Sequence, residues 1–201
     1  MLKPLEHMLG PSEALRQVAF NVADAFGAAP PSEVQRLRSA PGDVFIDVFR
    51  YDHHPVPGVS SYSTVGLSSH PLMDGAREFP GRVELCGAAR GKQVPFANLL
   101  AAVAFEVISG AFVFPDRIFP GIVSRYFPDS AMRHLVVMTP FLWDDRLRQF
   151  DAGGRTVAWL QVVPISDGEL ALARRGSVAD MIDFLEQREV DVTDLGRRSE
   201  A

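Results

Sequence analysis

Cysteine is all but missing: Cys86 is the one thiol in 201 residues, so the chain can form neither an internal disulfide nor a multi-thiolate metal site. Cys86 lies in the strand-like run Arg82-Val83-Glu84-Leu85-Cys86-Gly87-Ala88, which points to a small buried hydrophobe rather than a reactive thiol. Basic charge is also scarce. Lys and Arg number 20 against 25 Asp and Glu, for a formal charge of −5, which leaves no electrostatic footprint for a nucleic-acid partner. No apolar run reaches the ~20 residues that span a bilayer. The longest, Phe96 to Ile108, is interrupted by Asn98 and Glu106. The opening Met1 to His7 lacks a secretory h-region. These absences predict a cytoplasmic protein without a membrane partner.

Recognisable catalytic signatures are missing as well. Gly66-Leu67-Ser68-Ser69 is not the G-x-S-x-G elbow that lifts a serine out of a sheet. Gly87 to Gln93 superficially resembles a phosphate loop. It is one residue short between glycines, and Gln93 replaces the hydroxyl that would hold magnesium, so a solvated turn is expected and no cofactor is implied.

What is present is globular composition, 47% hydrophobic and 22% charged, in a length that buries roughly 70% of its unfolded surface as one domain. We find no repeat, low-complexity stretch or linker, so residues 1–201 read as a single domain. An N-terminal helix is expected over about 12–27, from the Ser12 cap through Val18, Val22 and Phe26 to Gly27. Residues 44–51, 62–68 and 82–88 read as strands in a meander, with a Pro/Gly turn at 52–58. Pro95 opens an almost wholly apolar helix ending near Gly110, suited to packing across a sheet. Phe112 to Pro128 reads as an ordered, irregular crossing segment. Strands 134–138 and 156–163 follow as a hairpin-like return, then two helices capped by Ser166 and Ser177. The expected class is α+β: a mixed, largely antiparallel sheet packed against helices.

Asp52, His53, His54 and His70 are candidate oxygen and nitrogen ligands for a divalent metal, and would make the chain a metal-assisted hydrolase. Adjacent histidines point apart when extended, and the spacing is not diagnostic, so exposed loop residues are the plainer reading. His134 opens an apolar strand and reads as a histidine with a satisfied ring nitrogen. The Asp144-Asp145 and Asp191/Asp194 pairs lack a basic or nucleophilic partner and read as loop and turn chemistry.

The order of segments carries a resemblance. Tyr62 to Ser68 is similar to the "x-S-x-G-L-S" strand of the suppressor-of-fused family, and Arg82-Val83-Glu84-Leu85 resembles the "F-E-L" strand after it. Ala101 to Gly110 looks like its helix ending in "V-x-x-S-G", and His134 to Pro140 resembles its "H-x-L-x-x-x-x-P" strand. Val157 to Leu170 is similar to "f-L-Q-i-v-x-i-x-x-x-E-L", and Val192 to Ser199 resembles the "i-T-D-x-R-R" close. Each motif is weak alone, but their order over about 45–200 is specific. The resemblance implies an α+β domain that holds another protein without catalysis. For a short bacterial member it implies an immunity protein that neutralises a partner toxin by stoichiometric binding. A regulator sequestering some other client fits the same resemblance.

Animal relatives hold client-contacting aromatic and acidic residues after the "G-L-S" step. Here that loop is Ser69 to Gly75, so the client site is not carried over. Leu72, Met73 and Asp74 are candidate protein contacts because apolar residues sit there in a surface segment, although a place for Leu72 and Met73 in the core is equally compatible. A third reading, a structural or oligomeric protein, rests on the aromatics of the Phe112 to Phe127 segment.

Overall fold

The computed structural model describes residues 12–27, 30–40, 42–199 and 201; the Met1 to His7 expectation and the Ala28-Ala29 part of the predicted break lie outside them. The chain runs α1 (Glu13–Ala25), β1 (Glu33–Arg38), β2 (Phe45–Asp52), β3 (Val59–Val65), β4 (Met73–Asp74), β5 (Arg77–Glu78), β6 (Arg82–Arg90) and α2 (Val94–Ile108). It continues through β7 (Ile118–Phe119), β8 (Met132–Met138), β9 (Phe150–Asp151), β10 (Thr156–Ser166), α3 (Asp167–Arg175) and α4 (Val178–Gln187). The main sheet has the order β1-β2-β3-β6-β10-β8-β7, with β9 paired to β10, and β4 and β5 form a separate small hairpin.

The meander expected from residues 44–88 is the antiparallel series β2-β3-β6. Strand β3 starts earlier than its sequence pattern suggests and stops at Val65, because Gly66 turns left-handed at φ 122° into a 3-10 turn over Leu67–Ser69. Strand β1 was not expected. Its Glu-Val-Gln-Arg-Leu-Arg sequence looks like solvated coil, yet it pairs with all but the last two residues of β2. The other departure is central. Strand β10 pairs antiparallel with β8, as a hairpin-like return requires, and parallel with β6 on its other side, which makes the sheet mixed.

Helix α2 covers one face. Its Phe96, Leu99, Leu100 and Val103 join Ile46, Val48, Tyr62, Leu85 and Val162 in the largest apolar cluster. Gly87 of β6 is needed there, since a Cβ would stand 2.8 Å from the Phe96 ring. The opposite face is covered in two parts. Helix α1 and the loop bearing Trp143 pack on Tyr51, Val59, Cys86 and Trp159, while α3 and α4 pack on Val136, Val163 and Ile165. Alternation within strands explains the division, because successive side chains face opposite layers.

Candidate functional site

Strand β3 carries an unusual buried polar row, Ser60, Ser61, Ser63 and Thr64, and each hydroxyl has a defined task. Ser61 donates to the His54 carbonyl at 2.7 Å and accepts from the Trp143 indole at 2.8 Å. Ser63 donates to the Thr64 carbonyl and accepts from the Trp159 indole. Polar atoms removed from water are tolerable only when bonded in this way.

The strongest concentration of polar chemistry lies where β3 ends. Glu84 of β6 is fully buried, and its carboxylate accepts five hydrogen bonds. Oε1 accepts from the Gly66 and Ser68 N–H groups at 2.9 and 3.0 Å and from the Ser68 hydroxyl at 2.6 Å. Oε2 accepts from the Thr64 hydroxyl at 2.6 Å and the Leu67 N–H at 3.3 Å. Burial pushes this carboxyl up, against the opposing pull of the Ser68, Thr64 and Gly66 donors. The G-L-S turn and the V-E-L strand, distant in sequence, are therefore one unit: the glutamate holds the turn from which the following loop departs.

A second unit closes the other end. Glu169 and Arg197 form a buried ion pair, with Arg197 also donating to the Pro164 carbonyl at 3.0 Å. Glu169 completes a capping box with Ser166 at the start of α3. Nearby, Arg90 pairs with Asp191, which also accepts from the Thr193 N–H and hydroxyl. The E-L and T-D-x-R-R passages thus meet each other as latches across the fold.

The predicted contact residues divide. Leu72 is buried in the apolar cluster that includes α2 and is not available to a partner, while its carbonyl accepts from the Phe79 N–H at 2.8 Å and closes the base of the hairpin. Met73 is half-buried and Asp74 exposed on β4. Phe79, just after β5, packs on Phe112, which packs on Phe114, leaving an aromatic surface beside the hairpin.

The proposed metal ligands do not come together, and among the described residues no three His, Cys, Asp or Glu groups converge on a metal position. Asp52 is instead held by Arg50 and Lys92, each at 3.0 Å, and by the Ser60 hydroxyl. Burial pushes its carboxyl up, but the Lys92 and Ser60 hydrogen bonds and the two cationic charges outweigh this and hold it below the usual range. His53 sits exposed at φ 66°, and the His54 imidazole packs against Gly27, where a Cβ would clash. His70 lines a different cleft beside Leu15 and Phe49, where burial pushes its imidazole down.

His134 is satisfied at both ring nitrogens. Its Nδ1 accepts from the Gly121 N–H at 2.9 Å, so Nε2 carries the proton and donates to Asp167 at 2.8 Å. Burial pushes the Cys86 thiol well up. The apparent phosphate loop is the end of β6 and a turn at Gly91, with Arg90 and Lys92 engaged by Asp191 and Asp52. Asp145 pairs with exposed Arg148, and Asp194 accepts from the Gly196 N–H.

The fold and these networks define an α+β domain with a mixed sheet whose buried carboxylates fasten the turn after β3 and the C-terminal segment. The chain belongs to the suppressor-of-fused family: the family description, Suppressor of fused protein (SUFU), matches residues 42–198. Immunity protein YqcF of Bacillus subtilis (strain 168) is 31% identical over 192 residues, covering 95% of this chain and 99% of YqcF. Among solved structures, a suppressor-of-fused homolog from Neisseria gonorrhoeae superposes with a TM-score of 0.71 at 15% identity, over 94% of this chain and 97% of that one. The Sufu–Fu complex crystal structure gives 0.68 at 19% identity, over 94% and 92%. These two likenesses establish the fold.

Proposed function

We propose that this chain is a binding protein of the immunity type, which neutralises a partner toxin by forming a stoichiometric complex. The observation that carries this reading is its 31% identity to Immunity protein YqcF along nearly the whole of both chains. The site chemistry agrees with it. Glu84, Glu169, Asp52 and His134, the groups whose burial or position would suit acid–base work, are each occupied in holding the fold. The Glu84-anchored turn gives the β4–β5 hairpin a fixed base, and Met73, Asp74 and the neighbouring Phe79 and Phe114 form the contact surface, with Leu72 as its anchor in the core. Apolar residues on rigidly supported surface elements are the usual centre of a protein interface.

Co-expression tests the function. The protein should rescue growth of cells producing a toxin encoded beside its gene and co-purify with it in fixed proportion. Rescue failing for every neighbouring toxin, with no complex formed, would refute the reading. Met73→Lys and Asp74→Lys should weaken rescue while leaving the thermal melt unchanged.

A further inference from the structure

A second surface, on the far side of the sheet from α2, has a different chemistry. A cleft of about 560 Å³ opens between α4 with the segment after it and the β8 end of the sheet, within the roughly 300–1,000 Å³ typical of binding pockets. Its walls are apolar, with Met138, Ile182 and Val190 on facing sides. Phe141 stands 48% exposed on its lip. Four carboxylates line the same cleft, those of Asp116, Glu186, Glu189 and Asp191, and no Lys or Arg does. Arg90 engages Asp191. The other three are exposed and form no ion pair among the described residues.

An apolar floor under carboxylates of one sign selects its occupant. The rim repels anionic lipid and nucleic acid and concentrates cations, and the floor gives no stabilisation to a merely charged ligand. We propose that this cleft docks a cationic amphipathic segment of a partner protein, with an aliphatic or aromatic side chain seated between Met138 and Ile182 and flanking Lys or Arg residues on the Asp116/Glu186/Glu189 rim. The inference rests on the binding function proposed above and names a second contact, separate from the β4–β5 hairpin.

The test uses a fluorescein-labelled peptide of Leu and Lys with helical periodicity, and a Leu/Glu counterpart of the same pattern. Anisotropy should show the Leu/Lys peptide binding and weakening as salt rises, and amide shifts should cluster at residues 138–142 and 182–191. The double variant Glu186→Lys/Glu189→Lys alters two exposed positions and should keep its melt. It should lose about tenfold or more in affinity, the scale expected for reversing two rim charges. Equal binding of the Leu/Glu peptide, shifts centred elsewhere, or an unaffected double variant would overturn the proposal. The two functional readings separate in the rescue assay. Toxin rescue that survives the double variant sinks this cleft as an interface and leaves the immunity reading standing, whereas absence of rescue by the unaltered protein sinks the latter while the peptide measurements still decide the cleft.

Discussion

Replacing Glu84 isolates the contribution of one buried carboxylate. Glu84→Ala leaves the Gly66, Leu67 and Ser68 N–H groups without their acceptor. Thr64 retains a way out, since its hydroxyl lies 3.4 Å from the Leu85 carbonyl, and the half-buried Gly66 and Ser68 can recruit water. Leu67 is then the donor left buried, at ~1–3 kcal/mol, and the cavity left by the removed side chain adds ~1–2 kcal/mol; with relief of the carboxylate's own desolvation set against them, the net loss is ~2–4 kcal/mol. For a chain of this size that lowers Tm by roughly 4–16 °C. Glu84→Gln keeps one acceptor oxygen for Gly66 and Ser68 but turns an amide N–H toward Leu67, so it should lose only ~1–2 kcal/mol. Calorimetry and urea titration of the three proteins measure the series. Because burial raises the Glu84 carboxyl, the folded state holds its proton more tightly than the unfolded chain does. The corresponding stability is present below the ordinary carboxylate range and declines as pH rises through the raised value. Glu84→Gln removes that decline. A glutamine variant as damaged as the alanine one, or an alanine variant within ~1 kcal/mol of the parent, would refute the account of Glu84 as an acceptor that the turn requires.

Other groups give independent checks. Arg197→Met strands Glu169 without its cation and should cost ~3–5 kcal/mol by urea unfolding, whereas Glu169→Gln/Arg197→Met should cost less than that single change. Asp52 is held below its usual range, so the stability it supplies is present above its unfolded value of about 3.9 and is lost as pH falls toward the lower folded value. Asp52→Asn should flatten that part of the acid limb in pH-dependent melts. Cys86 should resist a thiol reagent in native buffer and react fully in denaturant; prompt native labelling would contradict its burial.

The long periodic elements were readable from sequence because their patterns are local. Helix α2 announces itself through Pro95 and its apolar spacing, and Ser166 and Ser177 cap α3 and α4 as their side chains suggest. Strand β1 was not readable, because its stability comes from pairing with β2 and from ion pairs such as Arg36 with Asp47, which leave no apolar alternation in the sequence. The parallel joining of β6 and β10 was equally hidden, being a contact between segments more than seventy residues apart. The networks were half visible. A glutamate amid Val83, Leu85 and Cys86 signals a buried acceptor, and Gly66-Leu67-Ser68 offers the donors, but only the fold shows that they serve one another. The acid-rimmed cleft gathers residues from 115 to 193, and no short window of sequence contains that pattern.

The parallel pairing also sets a schedule for synthesis. Strands β1, β2, β3 and β6 can assemble as soon as residue 90 is free, but the edge of β6 then has no neighbour until β10 is made. At about 5–20 residues per second the ribosome takes roughly 4–15 s to add the intervening chain. For that interval the nascent protein presents an unpaired strand edge, Arg82 to Cys86, whose side chains are all buried in the finished fold. Such an edge is a template for unwanted association, so the yield of native protein should depend on translation speed and chaperone supply through this one late-filled gap.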